Sequence, residues 1–158
     1  MIKEGEIGTL LRDINVVLKG RAFICGGAIR SLFEGKTPKD IDIFLKDEVY
    51  LEEVVKDLVH LVGNININKV NGTSSGWAYE MKYKGVVVSI IKPQYMNGRY
   101  TCGSLYDIIS GIDFNVCRLG MSENGDITSI EPLEDIIKAI EDKELIILNH
   151  RPEEKDRV

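Results

Sequence analysis

Cysteine is scarce in this sequence, which has three such residues, Cys25, Cys102 and Cys117, among 158. Their spacing is not that of the closely paired cysteines found in metal sites. We therefore expect reduced thiols in a cytoplasmic protein. We also expect Cys25 and Cys117 to serve as small hydrophobic residues of the core.

Long apolar runs are also missing. No stretch of about 18 apolar residues occurs, so the sequence predicts no membrane span. The first six residues lack the charged-then-apolar order of a secretory signal. The composition, 44% hydrophobic and 28% charged, is that of an ordinary soluble globular protein. The length fits one domain with a moderate core.

An excess of positive charge is missing as well. The net charge of −5 argues against a uniformly basic nucleic-acid-binding protein. The segment from Arg21 to Lys46 differs from the rest, because its five cations and three anions give it a local charge of +2. A positive segment could attract a triphosphate, although salt would screen this attraction at a distance.

Against this background, one short stretch indicates a binding site for an anion. The apolar run at residues 22–25 predicts a buried strand, which the pair Gly26-Gly27 ends. Glycine adopts positive φ and has no Cβ, so the backbone can approach a ligand closely there. A helix predicted at residues 28–33 would begin with unpaired N–H groups and a partial positive charge, which favour phosphate. Arg30 could add a bidentate contact. Taken alone, the same corner is also typical of a plain tight turn.

Two aspartates follow this corner closely. In the predicted strand at residues 40–45, alternation places Asp40 and Asp42 on one face and the isoleucines beside them on the other. Carboxylates on one face repel each other, so the pair is costly unless cations bind to it. Two Mg²⁺ ions about 3.5–4 Å apart could bridge the pair and the oxygens of a triphosphate. The alternative is a solvated edge strand with two ordinary surface charges.

The segments GGAIR (residues 26–30) and KDIDI (residues 39–43) together resemble the signature of the DNA polymerase β-like nucleotidyltransferases. Within that superfamily they are similar to the bacterial-type CCA-adding enzymes and poly(A) polymerases, whose pattern is GGxxR followed by a D-x-D strand. Looser similarities follow at residues 113–117 and 125–136. The resemblance spans about residues 20–148.

This resemblance implies a fold and an activity. The fold is the nucleotidyltransferase head, an α/β (α+β) domain with a mixed, mainly antiparallel sheet flanked by helices. We expect it over residues 1–148, followed by a polar tail at residues 149–158. The activity is Mg²⁺-dependent transfer of an NMP from an NTP to an acceptor hydroxyl. An RNA 3′ end of the tRNA type, a protein side chain and a small molecule remain open as acceptors.

The resemblance also assigns roles to individual residues. Asp40 and Asp42 would hold the metal ions, and Asp113 would be a further catalytic acid near the nucleotide sugar, unless it is a plain cap or turn residue. The triphosphate would be bound by Gly26, Gly27, Arg30 and Lys39.

The sequence departs from the family pattern at several points. The family often has a third acidic residue on a neighbouring strand, and the matching position here is Ser89. Arginines usually precede the segment that matches Asp113, where this chain has Gly111-Ile112. The metal site therefore has two carboxylates alone, or a third from Asp113 or Glu80. Base selection of the CCA type is not expected, because the helical domains that carry it have no counterpart in these 158 residues.

Periodicity elsewhere predicts the elements that surround this site. Helices are predicted at residues 6–18, 48–61, 105–109 and from Pro132 onward. Strands are predicted at residues 64–70, 77–83, 86–91, 112–119, 127–130 and 144–148, the first three as an antiparallel meander. The row of Trp77, Tyr79, Met81 and Tyr83 could stack a nucleobase, although such a row is more typical of a core.

A second hypothesis is a non-catalytic nucleotide-binding or interaction protein on the same scaffold. It is motivated by Ser89 in place of an acid and by the missing arginines.

Overall fold

The computed structural model of the chain describes residues 6–46, 49–62, 67–73, 76–83, 85–93, 104–112 and 115–143. The helices are α1 (Ile7–Leu18), α2 (Gly27–Glu34), α3 (Leu51–Val62), α4 (Leu105–Ser110) and α5 (Leu133–Glu141). The strands are β1 (Ala22–Cys25), β2 (Asp40–Leu45), β3 (Ile67–Thr73), β4 (Gly76–Tyr83), β5 (Val86–Pro93), β6 (Leu119–Met121) and β7 (Ile127–Ser129). A short 3₁₀ helix, Asn115–Cys117, precedes β6.

The described strands form one seven-stranded sheet in the order β3-β4-β5-β2-β1-β6-β7. Neighbouring strands are antiparallel except for β2 and β5, which are parallel. The predicted mixed, mainly antiparallel sheet is therefore confirmed, and so is the antiparallel meander β3-β4-β5. Because β2 has a partner on each side, the edge-strand alternative for its two aspartates is wrong.

The main core lies on the face of the sheet that α1 and α3 cover. Alternation along β2 sends Ile41, Ile43 and Leu45 into it, each with 0% of its surface exposed. Burying a side chain of this size contributes about 1.5–3 kcal/mol. Met81, a member of the row of residues that could stack a nucleobase, is also buried in this core.

Arg21 joins the two helices that cover this core. Its guanidinium donates to the carbonyls of Val17 and Leu18 at the end of α1, and to Asp57 Oδ2 of α3 at 2.7 Å. The first two bonds satisfy carbonyl groups that a helix end leaves without partners. The third connects α1 to α3.

A smaller apolar cluster lies where α4 packs on β1 and β6. Its buried members are Phe23, Cys25, Leu105, Ile108 and Ile109. Gly120 permits the close approach, because a Cβ there would lie 2.5 Å from Leu105 Cδ1. Cys25 and Cys117 are reduced thiols, the first buried and the second half-buried. Cys102 lies outside the described residues.

The structure corrects the strand predicted at residues 112–119. The 3₁₀ helix occupies part of this segment, and β6 begins only at Leu119. The reason is a side chain, since Arg118 donates to the carbonyls of Ser110 and Ile112 at 3.0 Å. Bonds of this kind stabilise a turn, and alternation of side chains gives no sign of them. Residues 144–148, where a last strand was predicted, lie outside the described part.

Smaller differences concern the ends of helices. The helix predicted from residue 48 begins at Leu51, and the one predicted from Pro132 begins at Leu133. Within the described residues, no helix combines the length and the apolar run that crossing a membrane would require.

Candidate functional site

The glycine corner between β1 and α2 has a backbone that favours glycine strongly. Gly26 has φ 85° and ψ −135°, a region in which a side chain causes strain. Its N–H donates to the carbonyl of Leu119 at 2.8 Å, which fixes the corner against β6. Its own carbonyl accepts from the N–H groups of Ile29 and Arg30, which begins α2. A Cβ on Gly26 or Gly27 would meet no atom within 4 Å, so the space beside the corner is open.

A cavity of about 410 Å³ lies between α2, the loop that follows it and β2. Five of the residues predicted for the site line this cavity: Gly27, Arg30, Lys39, Asp40 and Asp42. Gly26 lies next to it in the chain without lining it. Asp113 lies outside the described residues. The structure thus brings the glycine corner and the aspartate pair to one cavity.

The two aspartates differ in their surroundings. Asp40 is exposed at the start of β2, whereas Asp42 is half-buried between Cys25 of β1 and Ser89 of β5. Burial, followed by the negative charges of Asp40 and Glu80, raises the pKa of the Asp42 carboxyl to about 6. The Asp42 carboxylate is therefore destabilised at neutral pH unless a cation lies near it.

A row of three residues crosses the sheet beside Asp42. Ser89 lies directly opposite Asp42 in the parallel register of β2 and β5, and Glu80 lies opposite Ser89 on β4. Ser89, which is buried, therefore occupies the neighbouring-strand position that the sequence indicated. Glu80 influences the pKa of Asp42. Even so, in the part of the chain that the structure describes, no three acidic, histidine or cysteine side chains are arranged to hold a metal ion.

The donor set of Asp40 and Asp42 fits a divalent cation. Both carboxylates line one cavity, and the charge on Asp42 is disfavoured by burial and by its acidic neighbours. Mg²⁺ binds one or two protein carboxylates and takes its other ligands from water and substrate phosphates. Two aspartates that line one cavity therefore match the number of protein carboxylates that Mg²⁺ usually takes.

Arg30 has two contacts inside the same region. Its Nη1 donates to Cys117 Sγ at 3.6 Å, and its Nε lies 3.2 Å from Glu34 Oε1. The latter two atoms are close enough for an ion pair, but they are not aligned for a hydrogen bond. Among the described residues, the buried Nε has no hydrogen-bond partner.

Two charged residues of the cavity were not singled out from the sequence as site residues. Glu34 and Lys36 both line it, and Lys36 Nζ lies 3.9 Å from Glu34 Oε2. The four-residue spacing of Arg30 and Glu34 is the signal that could have paired them on one face of a helix.

Comparison with protein families gives one match. The model of a family described as "Gad2: Gabija anti-defense 2 family protein" matches residues 3–143. No curated protein sequence matches this chain significantly.

Comparison with solved structures shows the fold. A CCA-adding enzyme in complex with ATP superposes with a TM-score of 0.63 and 13% identity, over 94% of this chain and 36% of that one. A tRNA nucleotidyltransferase complexed with a primer tRNA and an incoming ATP analogue gives 0.57 and 19%, over 96% of this chain and 40% of that one. A tRNA-processing enzyme in an apo form gives 0.62 and 21%, over 91% and 37%.

These superpositions show that the chain has the fold of a nucleotidyltransferase head. The chain spans 36% to 40% of the length of these three solved proteins.

Proposed function

Since this chain belongs to the Gabija anti-defense 2 family and has a nucleotidyltransferase-type scaffold, we propose that it is a metal-dependent nucleotidyltransferase. It would move an NMP from an NTP to an acceptor hydroxyl. One observation carries the proposal: Asp40 and Asp42 line the same cavity as Gly27 and Arg30.

The cavity supplies two kinds of group that such a reaction needs. Arg30, Lys36 and Lys39 offer positive charge to the triphosphate, and the start of α2 offers backbone N–H groups beside an open space. Asp40 and Asp42 would hold divalent cations, which neutralise the leaving pyrophosphate and activate the attacking hydroxyl when bound. Phosphoryl transfer depends on position and charge more than on a covalent residue.

Two residues, Glu80 and Asp113, are candidates for the third acidic residue of the site. Glu80 already acts on Asp42 electrostatically from across Ser89. Asp113 follows Ile112, whose carbonyl Arg118 holds. We propose that Asp113 supports catalysis near the nucleotide sugar, with Glu80 as the alternative third carboxylate.

The similar structures and the family description favour two different acceptors. The solved relatives are described as tRNA-processing enzymes or carry a primer tRNA, which favours an RNA 3′ end. The family description concerns action against Gabija defence, which favours an acceptor within that machinery. Both classes therefore belong in the experiment.

The test is a labelling screen. The purified protein is incubated with Mg²⁺ and each of the four α-labelled NTPs, together with total RNA or total protein from cells with and without Gabija. We expect one NTP to label one pool. Asp40→Asn and Asp42→Asn should each lower the transfer by at least about a hundredfold, since each removes a metal ligand.

The control for this screen is Glu53→Gln, which removes a carboxylate paired with Arg21 outside the cavity. It should label the acceptor as well as the unaltered protein does. Equal labelling by the Asp42→Asn protein would contradict the mechanism.

A non-catalytic nucleotide-binding protein is the second candidate. Ser89 beside Asp42 and the lack of a three-residue acidic cluster among the described residues favour it. In that case Mg²⁺ and an NTP would raise the melting temperature, and this rise would depend on Asp42, but no pool would become labelled.

A further inference from the structure

Glu34 holds a position in the cavity that the proposed chemistry does not explain. It is the last residue of α2, and its side chain is only 26% exposed. One carboxylate oxygen lies 3.2 Å from Arg30 Nε, and the other lies 3.9 Å from Lys36 Nζ. A single carboxylate thus lies between two cations that line the same cavity as Asp40 and Asp42.

The stability of α2 does not account for this glutamate. A negative charge at the C-terminal end of a helix is unfavourable, because the helix dipole is negative there. An arginine followed four residues later by a glutamate is also the weaker order for such a pair. Replacing the Glu34 carboxylate by a neutral amide should therefore leave the helix at least as stable.

The contact with Arg30 is also incomplete. The Nε atom is buried, and among the described residues it has no aligned hydrogen bond even though Glu34 is close. A buried donor without an acceptor is unfavourable. A phosphate oxygen that enters the cavity freely can align with Nε better than a carboxylate fixed to the same helix.

We propose that Glu34 is a built-in competitor for the phosphate groups of the substrate. In the unliganded protein its carboxylate pairs with Arg30 and Lys36. On binding, the triphosphate replaces this carboxylate as the partner of the two cations. When pyrophosphate leaves, the two cations pair with Glu34 again. Glu34 thus weakens nucleotide binding and favours release of the pyrophosphate. This inference rests on the proposed function, since it assumes that the cavity binds an NTP.

Isothermal titration of each of the four NTPs in excess Mg²⁺ tests the proposal by binding alone. Three proteins are compared: the unaltered chain, Glu34→Gln and Glu53→Gln. We expect Glu34→Gln to bind up to about fivefold more tightly, the size that exposed ion pairs of this kind allow. Glu53→Gln removes a charge from the Arg21 pair outside the cavity, so its affinity should equal that of the unaltered chain.

A further variant tests whether the gain in affinity depends on Arg30. When Arg30→Gln is already present, adding Glu34→Gln should raise the affinity much less than Glu34→Gln does in the unaltered chain. Circular dichroism melting checks that each variant is folded.

Two negative outcomes have different meanings. If the unaltered chain binds an NTP and Glu34→Gln binds it equally or more weakly, the competitor role is wrong and Glu34 merely orients Arg30, while the proposed function stands. If neither protein binds any of the four NTPs, both the competitor role and the proposed function are wrong. A gain in affinity that persists in full without Arg30 would also overturn the proposal.

Discussion

The two faces of β2 show how one strand separates stability from chemistry. On one face, Ile41, Ile43 and Leu45 are fully buried under α1 and α3. On the other, Asp40 and Asp42 line an open cavity, and burial and neighbouring charges raise the pKa of Asp42 to about 6. The first face stabilises the fold, whereas the second places a charge where it is unfavourable unless a cation lies near it. Strained electrostatics of this kind are typical of functional sites.

The largest effect should come from the apolar face. Ile43→Ala should lower the free energy of unfolding by about 2–5 kcal/mol, because it leaves a cavity in a packed core. Urea denaturation measures this change. The control is Ile43→Val, for which the loss should be about 0.5–1.5 kcal/mol. A loss below that of the valine variant would show that β2 is not the centre of the core.

The polar face should make the stability of the protein depend on pH. Because the folded-state pKa of Asp42 is raised from 3.8 to about 6, the folded protein binds this proton more tightly than the unfolded one. Stability should therefore fall as pH rises from about 4 to about 7, by up to about 3 kcal/mol for this group.

The measurement for this effect is urea denaturation in a chelating buffer across that pH range. Asp42→Asn removes the titrating group, so its stability should decline less, and it should be the more stable protein at pH 7.5. Parallel pH profiles for the two proteins would mean that Asp42 is not desolvated.

The glycine corner beside the polar face should show a smaller effect. Gly26→Ala should cost about 1–3 kcal/mol, because alanine is strained at φ 85°. Gly27→Ala is the matched control, since Gly27 is helical and a Cβ there meets nothing within 4 Å. Thermal melting of the two variants compares them. Equal melting temperatures would contradict the assignment of strain to Gly26.

Binding of Mg²⁺ should give the smallest effect and would sharpen the contrast between the faces. At pH 7.5, Mg²⁺ at about ten times its Kd should stabilise the chain by about 1.4 kcal/mol. Asp42→Asn should lose this gain, whereas Ile43→Val should keep it. Melting with and without Mg²⁺ measures the difference, and stabilisation of equal size in all three proteins would indicate binding elsewhere.

Local patterns predicted the centre of this molecule well. Alternation placed the two aspartates of β2 on one face, and the glycine pair marked the corner that begins α2. Ser89 was also assigned to the position beside Asp42, because the family pattern has an acid there. Each of these features depends on residues within one element or on one known motif.

The features that were missed depend on contacts between distant or unpatterned groups. The turn before β6 depends on bonds from Arg118 to two carbonyl groups, and periodicity contains no trace of them. Glu34 faces the cavity because Lys36 and Arg30 lie on either side of it. The four-residue spacing of Arg30 and Glu34 indicates a pair on one face of a helix, but it does not show that this face lines the cavity.

The parallel pairing of β2 with β5 has a consequence for the newly made chain. Asp42 acquires Ser89 as its neighbour only after α3 and the β3-β4 hairpin have been synthesised and the chain has returned to the sheet. Parallel strands require such a crossover, and pairing between distant segments forms slowly. All the residues that line the cavity, from Gly27 to Asp42, therefore leave the ribosome before β5 does. Asp42 should reach its half-buried position only when β5 has paired with β2.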